Sequence, residues 1–115
     1  MNKKTEKSLI FSFVIFCGGV ALISLLYKNA LLLTAILFLC WLIVLKFWHT
    51  KRDFYSFIIG AILGTCAEII AVYSGAWRYT NPTVLNVPLW LPLAWGIGSM
   101  IIRRISETII GQKSI

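Results

Sequence analysis

Residues 54–75 read FYSFIIGAILGTCAEIIAVYSG, a continuous apolar run holding one acid, Glu68. A helix needs roughly 20 mostly apolar residues to cross the hydrocarbon of a bilayer, and this stretch meets that length. Its apolar residues do not alternate with polar ones, so it does not suit a barrel wall. It reads as a spanning helix over about 54–76. Upstream, Ser8 to Tyr27 gives a span over about 8–27, and Ala30 to Trp48 gives one over about 30–48. Downstream, a fourth helix opens at Pro88 and runs to about 102, where Arg103 and Arg104 stop it. Past them Arg103 and Glu107 stand four apart, and the remainder reads as a frayed or surface-lying helix. The expected fold is all-α: one four-helix transmembrane domain over residues 1–115.

Composition points the same way. Hydrophobic residues make up 59% of the chain and charged ones 13%, the latter about half the share of a soluble domain. Too few polar side chains remain to cover a water-facing surface. Disorder, a disulfide scaffold and a nucleic-acid partner are excluded on the same ground. The net charge of +7 acts as an orientation signal instead. Lys3, Lys4 and Lys7 precede the first span; Lys46, Lys51 and Arg52 flank the second connection; Arg103, Arg104 and Lys113 follow the fourth. Only Lys28 and Arg78 fall on the other side. Lys and Arg favour the cytoplasmic side, so both termini are expected there, in a multi-pass protein of the plasma (inner) membrane. Gly19-Val20-Ala21 offers a small-residue cleavage site, but the apolar run continues to Leu26, longer than a signal sequence needs. A retained first helix is expected.

Tyr27, Trp48, Phe54, Tyr55, Trp77, Tyr79 and Trp90 lie near predicted helix ends, where amphipathic rings settle. Trp41 and Trp95 lie deeper. Cys17, Cys40 and Cys66 sit in apolar runs without ligand-like spacing, and His49 stands in a basic loop. No metal site and no cofactor are expected.

Glu68 is the candidate functional residue. A carboxylate in hydrocarbon is costly, so an intramembrane acid faces protein or a wet cavity. Gly60, Gly64, Glu68, Ala71 and Gly75 fall within a sector of about 80° on one helix. Small residues admit a close neighbour, and Gly60-x-x-x-Gly64 is a known packing pattern. The partner there is expected to be another helix, from this chain, a second copy or a different protein. The segment from Ser74 to Trp95 holds all three prolines and three of five tryptophans. Asn81 and Pro82 suggest a turn. Pro92 should free the carbonyl of Pro88. Counted along their helices, Glu68 and Trp95 both lie about 10 Å below the loop. An indole N–H only donates, so Trp95 is a sensible partner for Glu68, and Arg78 could fold inward to pair with it. The expectation is a pocket near the outer leaflet, with Glu68 as catalytic acid or base and Trp77, Arg78, Tyr79, Trp90 and Trp95 binding the ligand. The competing reading is an aromatic belt over a structured loop.

Gly64-x-x-x-Glu68, then Gly75, Tyr79 and Val87-Pro88-Leu89-x-x-Pro92-Leu93-Ala94-Trp95, resembles the membrane carotenoid-biosynthesis family of the bisanhydrobacterioruberin hydratase type. The likeness covers residues 64–104, about a third of the chain. Here Ala76-Trp77 stands before the tyrosine where that family has a Phe-Gly pair. The resemblance implies a multi-helix membrane fold and a lipid-like or isoprenoid ligand, with functional roles for Glu68, Tyr79 and Trp95 and a hydration or isomerisation assisted by Glu68. Two other classes suit the residues: a four-helix proton-coupled transporter, and a non-catalytic accessory subunit docked through Gly60 and Gly64.

Overall fold

The computed structural model describes residues 3–79 and 82–113. Asn81, expected in a turn, lies outside the described residues. Four helices follow in order: α1 (Lys3–Leu26), α2 (Ala30–Phe47), α3 (Lys51–Tyr73) and α4 (Leu91–Lys113). Among the described residues there is no strand, only an isolated bridge between Val84 and Val87. Three of the helices, α1, α2 and α3, are long and apolar enough to cross a membrane. At ~1.5 Å per residue they measure about 36, 27 and 35 Å. Many large apolar side chains on their outer faces are exposed, including Ile10, Leu25, Leu31, Ile43, Leu63 and Ile70. Some helix hydroxyls are satisfied locally: Ser12 donates to the Ser8 carbonyl at 2.9 Å and Thr34 to the Ala30 carbonyl at 2.6 Å.

The helix ends follow from local chemistry. Asn29 caps α2, its side chain accepting from the Leu32 N–H at 3.2 Å. Thr50 caps α3 in a reciprocal box with Asp53, which starts the helix three residues before the expected Phe54. At the other end Gly75 takes φ +86°, and the Ala76 and Gly75 N–H groups return to the carbonyls of Ala71 and Val72 at 3.0 and 3.1 Å. This glycine-dependent cap ends α3 at Tyr73, short of the expected residue 76.

The fourth helix departs most from expectation. It begins at Leu91, not Pro88, and runs through Arg103 and Arg104 to Lys113. A two-residue turn precedes it, with φ +50° at Leu85 and +65° at Asn86, closed by the Val87 N–H on the Val84 carbonyl at 2.9 Å. The Pro88 carbonyl is not left free, because the Leu91 N–H donates to it at 3.1 Å. Pro92 then falls in the first helical turn, where a missing N–H has no partner to lose. The arginines do not stop the helix because acids neutralise them.

Asp53 is the principal acid. Its side chain has no solvent exposure. Arg103 and Arg104 both pair with it; Arg104 Nε donates to Oδ1 at 2.8 Å and its terminal nitrogen to Oδ2 at 2.5 Å. The Thr50 N–H and hydroxyl also donate to Oδ2, at 3.0 and 2.8 Å. Arg103 bonds Glu107 at 2.7 Å, and the Arg104 guanidinium lies 5.1 Å from the Trp48 ring centre.

α4 is the central element, with close backbone neighbours in each of the other three helices, α3 foremost. The α3–α4 contact uses the small residues. A Cβ at Gly60 would strike the Ser99 side chain, one at Gly64 the Trp95 ring, and one at Gly96 the Phe57 ring. The close approach expected at Gly60 and Gly64 is thus made by the chain's own α4. Two apolar clusters flank it. Val44, Trp48, Phe57, Ile97, Met100 and Ile101 pack near the α2–α3 connection. Leu33, Leu37, Val87, Trp90 and Leu91 pack at the opposite, loop end. Trp41 stacks on Phe57 at 4.2 Å and ties α2 to α3.

Removing one partner of a buried ion pair costs about 3–5 kcal/mol, because the remaining charge stays buried. Asp53→Asn is expected to lower thermal stability in detergent by that order, well beyond the effect of Glu107→Gln on the exposed rim. Gly60→Leu should cost about 1–3 kcal/mol by overpacking, whereas Gly18→Ala, which meets nothing within 4 Å, should leave the melting temperature unchanged.

Candidate functional site

Glu68 sits one helical turn beyond Gly64 on α3 and is half-buried. Its Oε2 accepts two hydrogen bonds, from the Trp77 indole N–H and from the Tyr79 hydroxyl, each 2.8 Å long. Both donors come from the segment that follows the Gly75 cap. The reversal at Gly75 turns the chain back over the end of α3, which brings residues nine and eleven positions away onto the carboxylate. Oε1 has no hydrogen-bond partner among the described residues.

Tyr79 joins this network to α4. Its ring meets Trp90 edge-on, 6.4 Å between centroids at 90°. Burial, and then the bond to Glu68, push the Tyr79 phenol well above its ordinary range. It therefore stays protonated, a fixed donor to the carboxylate. Trp90 is buried, and its indole N–H has no hydrogen-bond partner among the described residues. Buried polar groups are nearly always paired, so this N–H is notable.

Arg78, Tyr79 and Trp90 line a cavity of about 240 Å³ together with Pro88 and the end of α1, namely Ile23, Ser24 and Tyr27. Arg78 is exposed and forms no ion pair among the described residues, so the inward pairing with Glu68 is not made. Its guanidinium belongs to the cavity instead.

Trp95 is not a partner of Glu68. It stands against Gly64 and lines a separate groove with Ser56, Gly60 and Ser99. The Gly60–Ser99 and Gly64–Trp95 contacts fix the α3–α4 register, and continuing it places Leu91 at the level of Glu68. Trp95 therefore lies one turn deeper than its position along the helix suggests, because α4 begins at Leu91 level with Glu68, not level with the end of α3 at Tyr73.

The six expected site residues therefore separate. Glu68, Trp77 and Tyr79 form one hydrogen-bonded unit; Arg78, Tyr79 and Trp90 line one cavity; Trp95 lies elsewhere. Ser24 and Tyr27 escaped the sequence reading as cavity residues. Tyr27 signalled only an interface position, and nothing local to α1 shows that its end meets the α3–α4 loop.

Hydrogen bonds to a charged group contribute about 1.5–3 kcal/mol when well made, less where water competes. Tyr79→Phe should loosen the 74–90 segment more than Trp77→Phe, because Trp77 is half exposed. Glu68→Gln keeps one acceptor oxygen and should loosen it less than Glu68→Ala. Amide hydrogen exchange over residues 74–90 would read this order.

No known protein family, no curated protein and no solved structure matches the chain in comparisons of sequence and fold.

Proposed function

We propose that this is an integral membrane protein with four spanning helices, both ends cytoplasmic, that binds a lipid-like or isoprenoid molecule at its outer-leaflet end. The observation that carries the reading is the Glu68 unit. Glu68 draws Trp77 and Tyr79 onto one oxygen and so stations Arg78 and Tyr79 over a cavity roofing the bundle. The other carboxylate oxygen has no partner among the described residues, and Tyr79 connects the carboxylate to the cavity, a route for acid–base assistance to hydration or isomerisation. The resemblance of residues 64–104 to the carotenoid hydratase-type family supports the same class of ligand.

The topology has its own support. α4 is the least apolar helix, yet α1, α2 and α3 surround it. Its two arginines meet Asp53 rather than lipid, so a fourth span ending at Arg103 and Arg104 is compatible with a bilayer. The nine-to-two bias of basic residues supplies the orientation.

Native mass spectrometry of the gently extracted protein should find a copurifying lipid-like adduct, reduced several-fold in Glu68→Ala and less in Glu68→Gln. An unliganded wild type, or an adduct indifferent to Glu68, would overturn the reading. Alkaline phosphatase fused after residue 79 should be active, and fused after residue 110 inactive.

A further inference from the structure

Two cavities meet on the α1–α4 side of the bundle. The upper one is the 240 Å³ cavity of Arg78 and Trp90; the lower, about 190 Å³, runs between α1 and α4. Ile23 lines both, so they adjoin. We propose that together they hold one amphiphile, with its phosphate head at Arg78 and its apolar chain lying in the α1–α4 groove. This rests on the lipid-binding reading above and names the head that the site would take.

The polar residues that line the upper cavity are Ser24, Tyr27, Arg78, Tyr79 and Trp90, and no acid joins them among the described residues. Glu68 stands behind Tyr79 in the hydrogen-bond chain, its Oε2 already occupied. The cation among the lining residues is free to take an anion: Arg78 is exposed and forms no ion pair among the described residues. Lys28 adds charge at the edge, its Nζ 6.0 Å from the Tyr27 ring centre. Of the two cations that oppose the orientation bias, Arg78 lines this cavity and Lys28 stands beside its Tyr27. Arginine matches phosphate oxygens with a planar fork of N–H groups. These residues arrive from three parts of the chain: Ser24 from α1, Tyr27 from the α1–α2 connection, and Arg78, Tyr79 and Trp90 from the α3–α4 connection. A tetrahedral phosphate has oxygens directed to several sides and suits them better than a planar carboxylate.

The lower groove is apolar, lined by residues such as Val20, Ile97 and Ile101. Gly19 on α1 and Gly98 on α4 also line it, and a Cβ at either would meet nothing within 4 Å. The space beside them is unfilled by protein, in contrast to Gly60, Gly64 and Gly96. From Ile23 down to Ile15 the groove follows α1 for about 12 Å, room for an extended hydrocarbon chain.

The test uses the full chain in a neutral maltoside detergent, titrated with dodecyl phosphate, dodecanol, laurate and inorganic phosphate, with bound species read by native mass spectrometry. Dodecyl phosphate is expected to bind at least tenfold more tightly than the other three. Arg78→Gln should weaken it about tenfold while leaving dodecanol unaffected. Gly98→Leu, which fills the groove from α4, should weaken both, and Gly19→Leu should do so from the opposite wall; unchanged melting temperatures would certify the fold of each. Inorganic phosphate binding as well as dodecyl phosphate would overturn the groove as the seat of the chain. Equal binding of dodecyl phosphate, laurate and dodecanol, insensitive to Arg78, would overturn the phosphate head while leaving the lipid-binding reading standing. Failure of all three amphiphiles to bind would overturn both.

Discussion

A carboxylate withdrawn wholly from solvent keeps its charge only if cations and donors replace the water it has lost. Asp53 meets that condition with Arg103, Arg104 and Thr50, and much of the architecture rests on it. The same carboxylate caps α3 and holds α4, so one side chain sets where a helix starts and which helix lies beside it. With its arginines neutralised, α4 continues for another three turns beyond the depth at which bare charges would end it. It can then stand at the centre of the bundle, against all three neighbours.

From that clamp the α3–α4 contact runs upward through glycines that each receive a side chain of the facing helix. Gly60 faces Ser99, Gly64 faces Trp95, and Gly96 receives Phe57. Glu68 comes next along α3, and there the contact changes character: the loop, not α4, supplies its partners. The two acids of α3 therefore do different work. Asp53 joins helices and is fully enclosed, while Glu68 arranges a loop and keeps one oxygen unengaged.

The three most apolar helices were legible from composition and run length alone, because a spanning helix writes its length into an uninterrupted sequence. Glu68 was legible for the opposite reason, as a polar residue where polarity is costly. The rest depended on contacts distant in sequence. Arg103 and Arg104 read as a stop because their partner lies about fifty residues away. The Thr50-x-x-Asp53 box was readable as a helix start, but its second use as an ion-pair partner was not. The depth of Trp95 was not legible because α4 begins level with Glu68, a turn and more below the end of α3, and only the long-range register shows that offset. Tyr27 and Ser24 joined the cavity only because α1 neighbours α4, an adjacency that chain order does not announce.

The central place of α4 also governs how the molecule is assembled. Chain order makes it the last of these four helices to leave the ribosome, yet α1 and α3 have no close backbone contact with each other and depend on α4 to stand in one bundle. Until it docks, α1 can meet α2 and Trp41 can meet Phe57, but every backbone contact of α3 with another helix stays unmade. Gly60, Gly64 and Asp53 wait uncovered through that interval. Closing the bundle is therefore a late step, and a truncation within α4 would release α3 from its backbone contacts rather than trim one edge.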